Sequence, residues 1–130
     1  MKKEPKWISK NLIFYIHYDQ IDQHGGSIEL RDMNLLESAL DKPKNKFHYD
    51  QNADIFDLAA SYGIGLSINH PFVDGNKRVS FQTMFVFLGL NGFEINASEE
   101  EVVVKMLLLA EGKFKEKDLA DWLRKNTLPL

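Results

Sequence analysis

The sequence predicts an all-α domain of about six helices, with one polar loop, residues 70–78, between two central buried helices. Three observations carry this. Apolar residues recur at helical spacing over most of the chain. Two stretches, from Ala53 to about Asn69 and from Val79 to Leu90, are apolar almost all round, as in helices covered by neighbours on several sides. Helix-starting and helix-stopping residues fall at the ends of the periodic segments.

In chain order, residues 1–8 read as a lead-in. Ser9 is a plausible N-cap for a first helix carrying Leu12, Ile13, Tyr15, Ile16 and Ile21 as far as Gln23, and Gly25-Gly26 supplies its stop. A shorter second helix fits Asp32 to Leu40, with Met33, Leu36 and Leu40 on one side and Pro43 at or just past its end. Residues 42–52 lack a helical period, and Phe47 and Tyr49 alternate with polar neighbours in the manner of a short strand or hairpin arm. Loops of that length in compact domains are often functional; the other reading is a surface loop pinned by Phe47. In the third helix Ala59, Ala60, Gly63 and Gly65 would let another helix come close. The fourth holds Phe81, Met84, Phe85, Val86, Phe87 and Leu88, an aromatic density expected of core packing, and ends at Asn91-Gly92. Phe93-Glu94-Ile95 is a short extended link. Ser98-Glu99-Glu100-Glu101 reads as a capping box opening a helix with Val102, Val103, Met106, Leu107 and Leu109, which Gly112 stops. A last amphipathic helix runs from about Lys115 to Lys125, with Leu119, Trp122 and Leu123 inward.

The chain has 130 residues, 44% hydrophobic and 27% charged, enough for a single core. No apolar run reaches the ~18 residues that would span a bilayer, and no signal-like core follows the basic N-terminus. The absence of cysteine fits a reducing cytoplasm, the expected location. A net charge of −3 and a pI near 5.8 disfavour specific DNA binding, and no basic recognition helix is evident. Lys42, Lys44 and Lys46 form one basic cluster and Glu99–Glu101 an acidic one; both read first as solvated surface.

The chemistry concentrates in His70-Pro71-Phe72-Val73-Asp74-Gly75-Asn76-Lys77-Arg78. If the fourth helix begins near Gly75, the backbone N–H groups of Gly75, Asn76 and Lys77 lie in its first turn, where intrahelical acceptors are missing and an anion is favoured. Gly75 permits close approach, and Lys77 and Arg78 add charge, the arginine being able to hold phosphate bidentately. A carboxylate beside a phosphate makes sense if Asp74 holds Mg²⁺. His70, with an ordinary pKa near ~6.5, suits a general base. Phe72 is expected to point into the core and lock the loop. A phosphate-binding P-loop is excluded, because Lys77 is followed by Arg78 and no strand precedes the loop.

These nine residues resemble the signature of the Fic/Doc family, H-x-F-x-[DE]-G-N-G-R-x-x-R, in the form carried by the death-on-curing (Doc) toxins, where lysine replaces the second glycine. Asp19 to Leu40, with Gly25-Gly26 and Leu35-Leu36-Glu37-Ser38-Ala39-Leu40, is also similar to the Doc N-terminal half, and the likeness extends over about residues 8–125. The resemblance implies a single-domain Fic fold, with His70 as the base that activates a target hydroxyl and Asp74 as the Mg²⁺ ligand. Gly75, Asn76, Lys77 and Arg78 would take the phosphates of ATP, and Lys46 and Phe47 would lie in a flap that aligns the target. Lys77 in place of glycine, and Phe81 in place of the second arginine, imply transfer of the γ-phosphate instead of AMP. The family target is a threonine of translation elongation factor Tu, whose phosphorylation stops translation. AMP transfer and a non-catalytic nucleotide- or partner-binding module are the alternatives. The family's self-inhibiting [ST]-x-x-x-E-[GN] helix is matched only by Glu111-Gly112, with Leu107 at the Ser/Thr position, which implies inhibition in trans by an antitoxin.

Overall fold

The computed structural model describes residues 3–130, so the first two residues of the lead-in lie outside it. Among the described residues six helices form: α1 (Lys10–His24), α2 (Met33–Tyr49), α3 (Ile55–Asn69), α4 (Asn76–Leu90), α5 (Glu99–Ala110) and α6 (Glu116–Lys125). Two three-residue strands, β1 (Phe93–Ile95) and β2 (Thr127–Pro129), pair antiparallel, with Glu94 opposite Leu128. Among the described residues, no helix is long and apolar enough to cross a membrane.

Helix starts follow the expected chemistry. The Ser9 side chain accepts from the Leu12 N–H, and Ser98 accepts from that of Glu101. Asp32 caps α2, and Asp54 with Asp57 makes a full capping box on α3. The Ser98 box is only half made, because the Glu101 carboxylate accepts instead from the Trp122 indole N–H at 2.8 Å, tying α5 to α6.

Helix α3 is the centre, packed against α2, α4 and α6. Its small residues explain the fit. A β-carbon at Gly63 would collide with Met84 of α4 and crowd Leu119 of α6, and one at Gly65 would meet Ala39 of α2 at 3.4 Å. Around α3 the core is continuous, from Ile13 and Leu36 through Leu66, Phe72 and Phe87 to Leu119 and Leu123. The Tyr62 hydroxyl accepts from the Ile8 N–H, which anchors the end of the lead-in, and burial pushes that phenol up to about 12.

The second helix corrects the sequence reading. It does not end near Leu40, and most of 42–52 is not a loop: α2 runs through Pro43 to Tyr49. A proline inside a helix removes one backbone bond and costs roughly 3 kcal/mol. Tertiary contacts on both sides of it outweigh that here. Pro43 is itself buried, Phe47 one turn later packs edge-on against Trp7 (centroids 5.7 Å), and Lys42 and Lys46 both reach Glu116 of α6.

Partial burial pushes the Glu116 carboxyl up, but the hydrogen bonds from Lys42 and Lys46 carry it below the ordinary range. A depressed carboxylate stabilises the fold fully above its unfolded pKa of about 4.3, and that stabilisation fades as pH falls through the folded value. Glu116→Gln is therefore expected to lose about 1 kcal/mol near neutral pH. The difference from the parent should close as pH falls below the ordinary carboxylate range and through the folded value. Thermal unfolding across that range measures it, and a gap that stays constant with pH would remove charge from the account.

Candidate active site

The loop between α3 and α4 is fixed mainly by its own backbone. His70 ends α3 in the left-handed region (φ 48°, ψ 56°), uncommon for a residue with a side chain and a local cost the surroundings must hold. Arg31 provides part of that hold: its Nε donates to the His70 carbonyl at 2.6 Å and its Nη2 to that of Asn69 at 2.7 Å, capping the end of α3. The Pro71 carbonyl accepts from the N–H groups of Arg31 and Asp32, the Val73 N–H donates to Glu29, and Leu30 forms an isolated antiparallel bridge with Phe72. The α1–α2 connection thus lies along the loop as a short strand-like edge.

Phe72 is 1% exposed and does lock the loop from below. Asn76 closes it from the helix side, accepting from the Phe72 N–H at 3.0 Å and donating to the Phe72 carbonyl at 2.8 Å. The Asn76 side chain is consequently committed to the loop, which leaves only its backbone N–H for a ligand. The Asp74 carboxylate is exposed; its Oδ2 accepts from the Ser27 N–H at 2.7 Å.

Gly75 sits at the α4 N-cap with φ 83°, a conformation suited to glycine, and brings no side chain to the helix start. Where α1, α2, α3 and α5 begin, a serine or aspartate side chain occupies the first-turn donors; at α4 they are left open. Lys77 and Arg78 are exposed, and among the described residues neither makes an ion pair. Open N–H groups with two unengaged cations are an arrangement able to take an anion.

These groups share one cavity of about 450 Å³, lined by His70, Val73, Asp74, Gly75, Asn76, Lys77, Arg78 and Phe81, with Val103, Met106 and Leu107 of α5 opposite. One side is a base, a carboxylate and cations, and the other is apolar. Among the described residues no group of three or more His, Asp or Glu side chains is placed to hold a metal. A single carboxylate with one oxygen engaged by Ser27 still fits Mg²⁺, which binds through one or two carboxylates plus substrate phosphates and keeps its own waters.

The structure therefore brings together His70, Asp74, Gly75, Asn76, Lys77 and Arg78, with Phe81 on the same wall. It does not bring Lys46 and Phe47 to them. Lys46 bonds Glu116 at 3.0 Å, Phe47 packs on Trp7, and neither lines the cavity. The segment beside the loop is 27–31. Its signal was the alternation of Ile28 and Leu30 with Ser27, Glu29 and Arg31 directly after the Gly25-Gly26 stop. Sequence reasoning also missed His17, whose Nε2 lies 2.9 Å from the Asp74 carbonyl. Glu111 pairs with exposed Lys113 at 3.1 Å and is not part of the cavity.

The chain is similar in sequence to known proteins. The family model described as "Fic/DOC family" matches residues 7–88. The chain is 26% identical over 118 residues to "Protein kinase doc" of Escherichia phage P1, covering 91% of this chain and 93% of that protein. It is 35% identical over 74 residues to "Toxin Doc" of Mycolicibacterium smegmatis, covering 56% of this chain and 57% of that one. An all-α fold with this loop between its two central helices, and a match across more than half its length, have one meaning: the chain belongs to the Fic/DOC family.

Proposed function

We propose that this protein is a Doc-type toxin that moves the γ-phosphoryl group of ATP to a hydroxyl group of a protein. The observation that carries the reading is the convergence of a base, a lone carboxylate and an uncapped helix start on one cavity that Phe81 also lines. The two curated relatives, one described as a protein kinase and one as a toxin, support it.

The N–H groups at the start of α4, with Lys77 and Arg78, take the phosphates, and the apolar wall of Phe81, Val103 and Leu107 receives the less polar part of the nucleotide. Asp74, with its second oxygen, would hold Mg²⁺ shared with those phosphates; the bound ion supplies charge neutralisation as the transfer proceeds. His70 accepts the proton of the target hydroxyl. The hydroxyl oxygen bonds to the γ-phosphorus, the bond from that phosphorus to the bridging β–γ oxygen breaks, and ADP leaves. Phosphoryl transfer of this kind depends chiefly on positioning and charge stabilisation, which such a site can supply. The 27–31 edge, not the Lys46–Phe47 region, is best placed to align the target segment, since it already lies along the loop through the single Leu30–Phe72 bridge.

The family resemblance points to a threonine of elongation factor Tu as target, and so to arrest of translation in the cytoplasm. It also points to an antitoxin as the inhibitor in trans, in keeping with the position of Glu111 outside the cavity. Incubation with ATP labelled at the γ or the α position tests the central claim. Labelled target with γ-label only is expected; transfer of α-label alone would establish AMP transfer and overturn the kinase reading.

A further inference from the structure

We propose that His17 is a positioning residue of the transfer site, acting through the Asp74–Gly75 peptide without touching substrate. This rests on the reading of residues 70–78 as that site. His17 lies on α1, is 2% exposed, and stacks on the Phe72 ring with centroids 3.7 Å apart and planes 8° from parallel. Its Nε2 is 2.9 Å from the Asp74 carbonyl oxygen, and a carbonyl only accepts, so Nε2 carries the proton and donates.

The consequence follows from peptide geometry. A peptide is planar and trans, so its C=O and N–H point in opposite directions. Tying the Asp74 carbonyl back to α1 therefore turns the Gly75 N–H away from α1, outward among the open donors of the α4 start. Glycine needs this tie more than other residues, because it has no side chain to restrict rotation of the peptide before it. The Asp74 unit is then held at two points, its backbone by His17 and its carboxylate by Ser27. A purely apolar residue would fill the space under Phe72 equally well. What histidine adds there is a directed N–H, and a buried polar group is retained at such a place only with its hydrogen bond made.

Two substitutions separate the stack from the donor. His17→Phe keeps an aromatic ring and removes the N–H; His17→Gln removes the ring and offers a donor at a similar reach. In nucleotide-free protein, His17→Phe is expected to stay folded, to displace the NMR signal of the Gly75 amide, and to speed hydrogen exchange at the Ser27 amide. Affinity for ATP, measured by calorimetry, should fall by about ten- to a hundredfold, the range a small misplacement of binding groups produces. His17→Gln should recover most of both effects despite being the less stable variant. The proposal is overturned if the Gly75 signal and ATP affinity are unchanged in His17→Phe. It is equally overturned if both variants lose affinity only in proportion to lost stability. Failure of the unmodified protein to transfer phosphate would count against the site reading alone, since the Gly75 and Ser27 amides still decide the role of His17.

Discussion

His70→Ala is expected to lower the rate of phosphoryl transfer at saturating ATP by about 10²–10⁴-fold, the usual contribution of a positioned general base. Nucleotide affinity should change little, because on the proposed reading the phosphates are held by the start of α4 with Lys77 and Arg78. Backbone strain complicates the alanine variant: His70 has positive φ, which alanine tolerates poorly. His70→Asn resolves this, since asparagine accepts that conformation yet lacks a group titrating in the useful range. Both variants should bind ATP and fail to transfer. If either retains transfer within about tenfold of the parent, a different group accepts the proton, because a lost general base costs more than that.

The largest expected loss of stability comes from Asn76→Ala. Asn76 is 8% exposed and satisfies both polar groups of the Phe72 backbone. Its removal leaves a buried N–H and a buried C=O without partners, at roughly 1–3 kcal/mol each. Against a total stability of roughly 5–15 kcal/mol for a domain, that is a large fraction. Chemical denaturation should show it as a shifted midpoint. N76D refines the test. Its ionised carboxylate would face the Phe72 carbonyl, so near neutral pH it should be damaged at least as much as N76A. Burial beside a carbonyl raises the folded pKa of the new group, so the penalty is present above that value and eases as pH falls through it, when the protonated carboxyl can donate again. Relative to the parent at each pH, N76D should therefore recover on acidification while N76A does not. Parallel behaviour of the two would mean that the loss reflects volume and not the hydrogen bonds.

The helices were legible because their information is local. Ser9, Asp32 and Ser98 cap the helices they precede, and the all-round apolar segments became α3 and α4 in the middle of the core. The loop at 42–52 was misread because the rule about proline is also local, whereas its violation is stabilised by Trp7 and Glu116, far away in sequence. Strand β2 escaped notice because three residues carry no period, and its partner Phe93–Ile95 lies beyond two helices. At the site, His70 to Arg78 could be read as one phrase since spacing alone suggested their chemistry. His17 could not, because it meets Asp74 through a backbone carbonyl 57 residues along the chain. Val103 and Leu107 were taken as one apolar face of α5; periodicity shows that a face is apolar, not whether protein or a cavity lies against it.

The bridge between Leu30 and Phe72 bears on when the protein becomes competent. Ser27 and Asp74 are 47 residues apart, with α2 and α3 between them, so the edge and the loop meet only after both helices have docked. Closing such long loops precedes the contacts that reward it, which places assembly of the site late in folding. The far wall comes later still, from α5. A chain cut short before Glu99, or still emerging from the ribosome, carries all nine motif residues and yet lacks Val103, Met106 and Leu107 of the cavity lining. On the proposed reading, such a chain would hold the motif without the cavity around it and would not transfer phosphate.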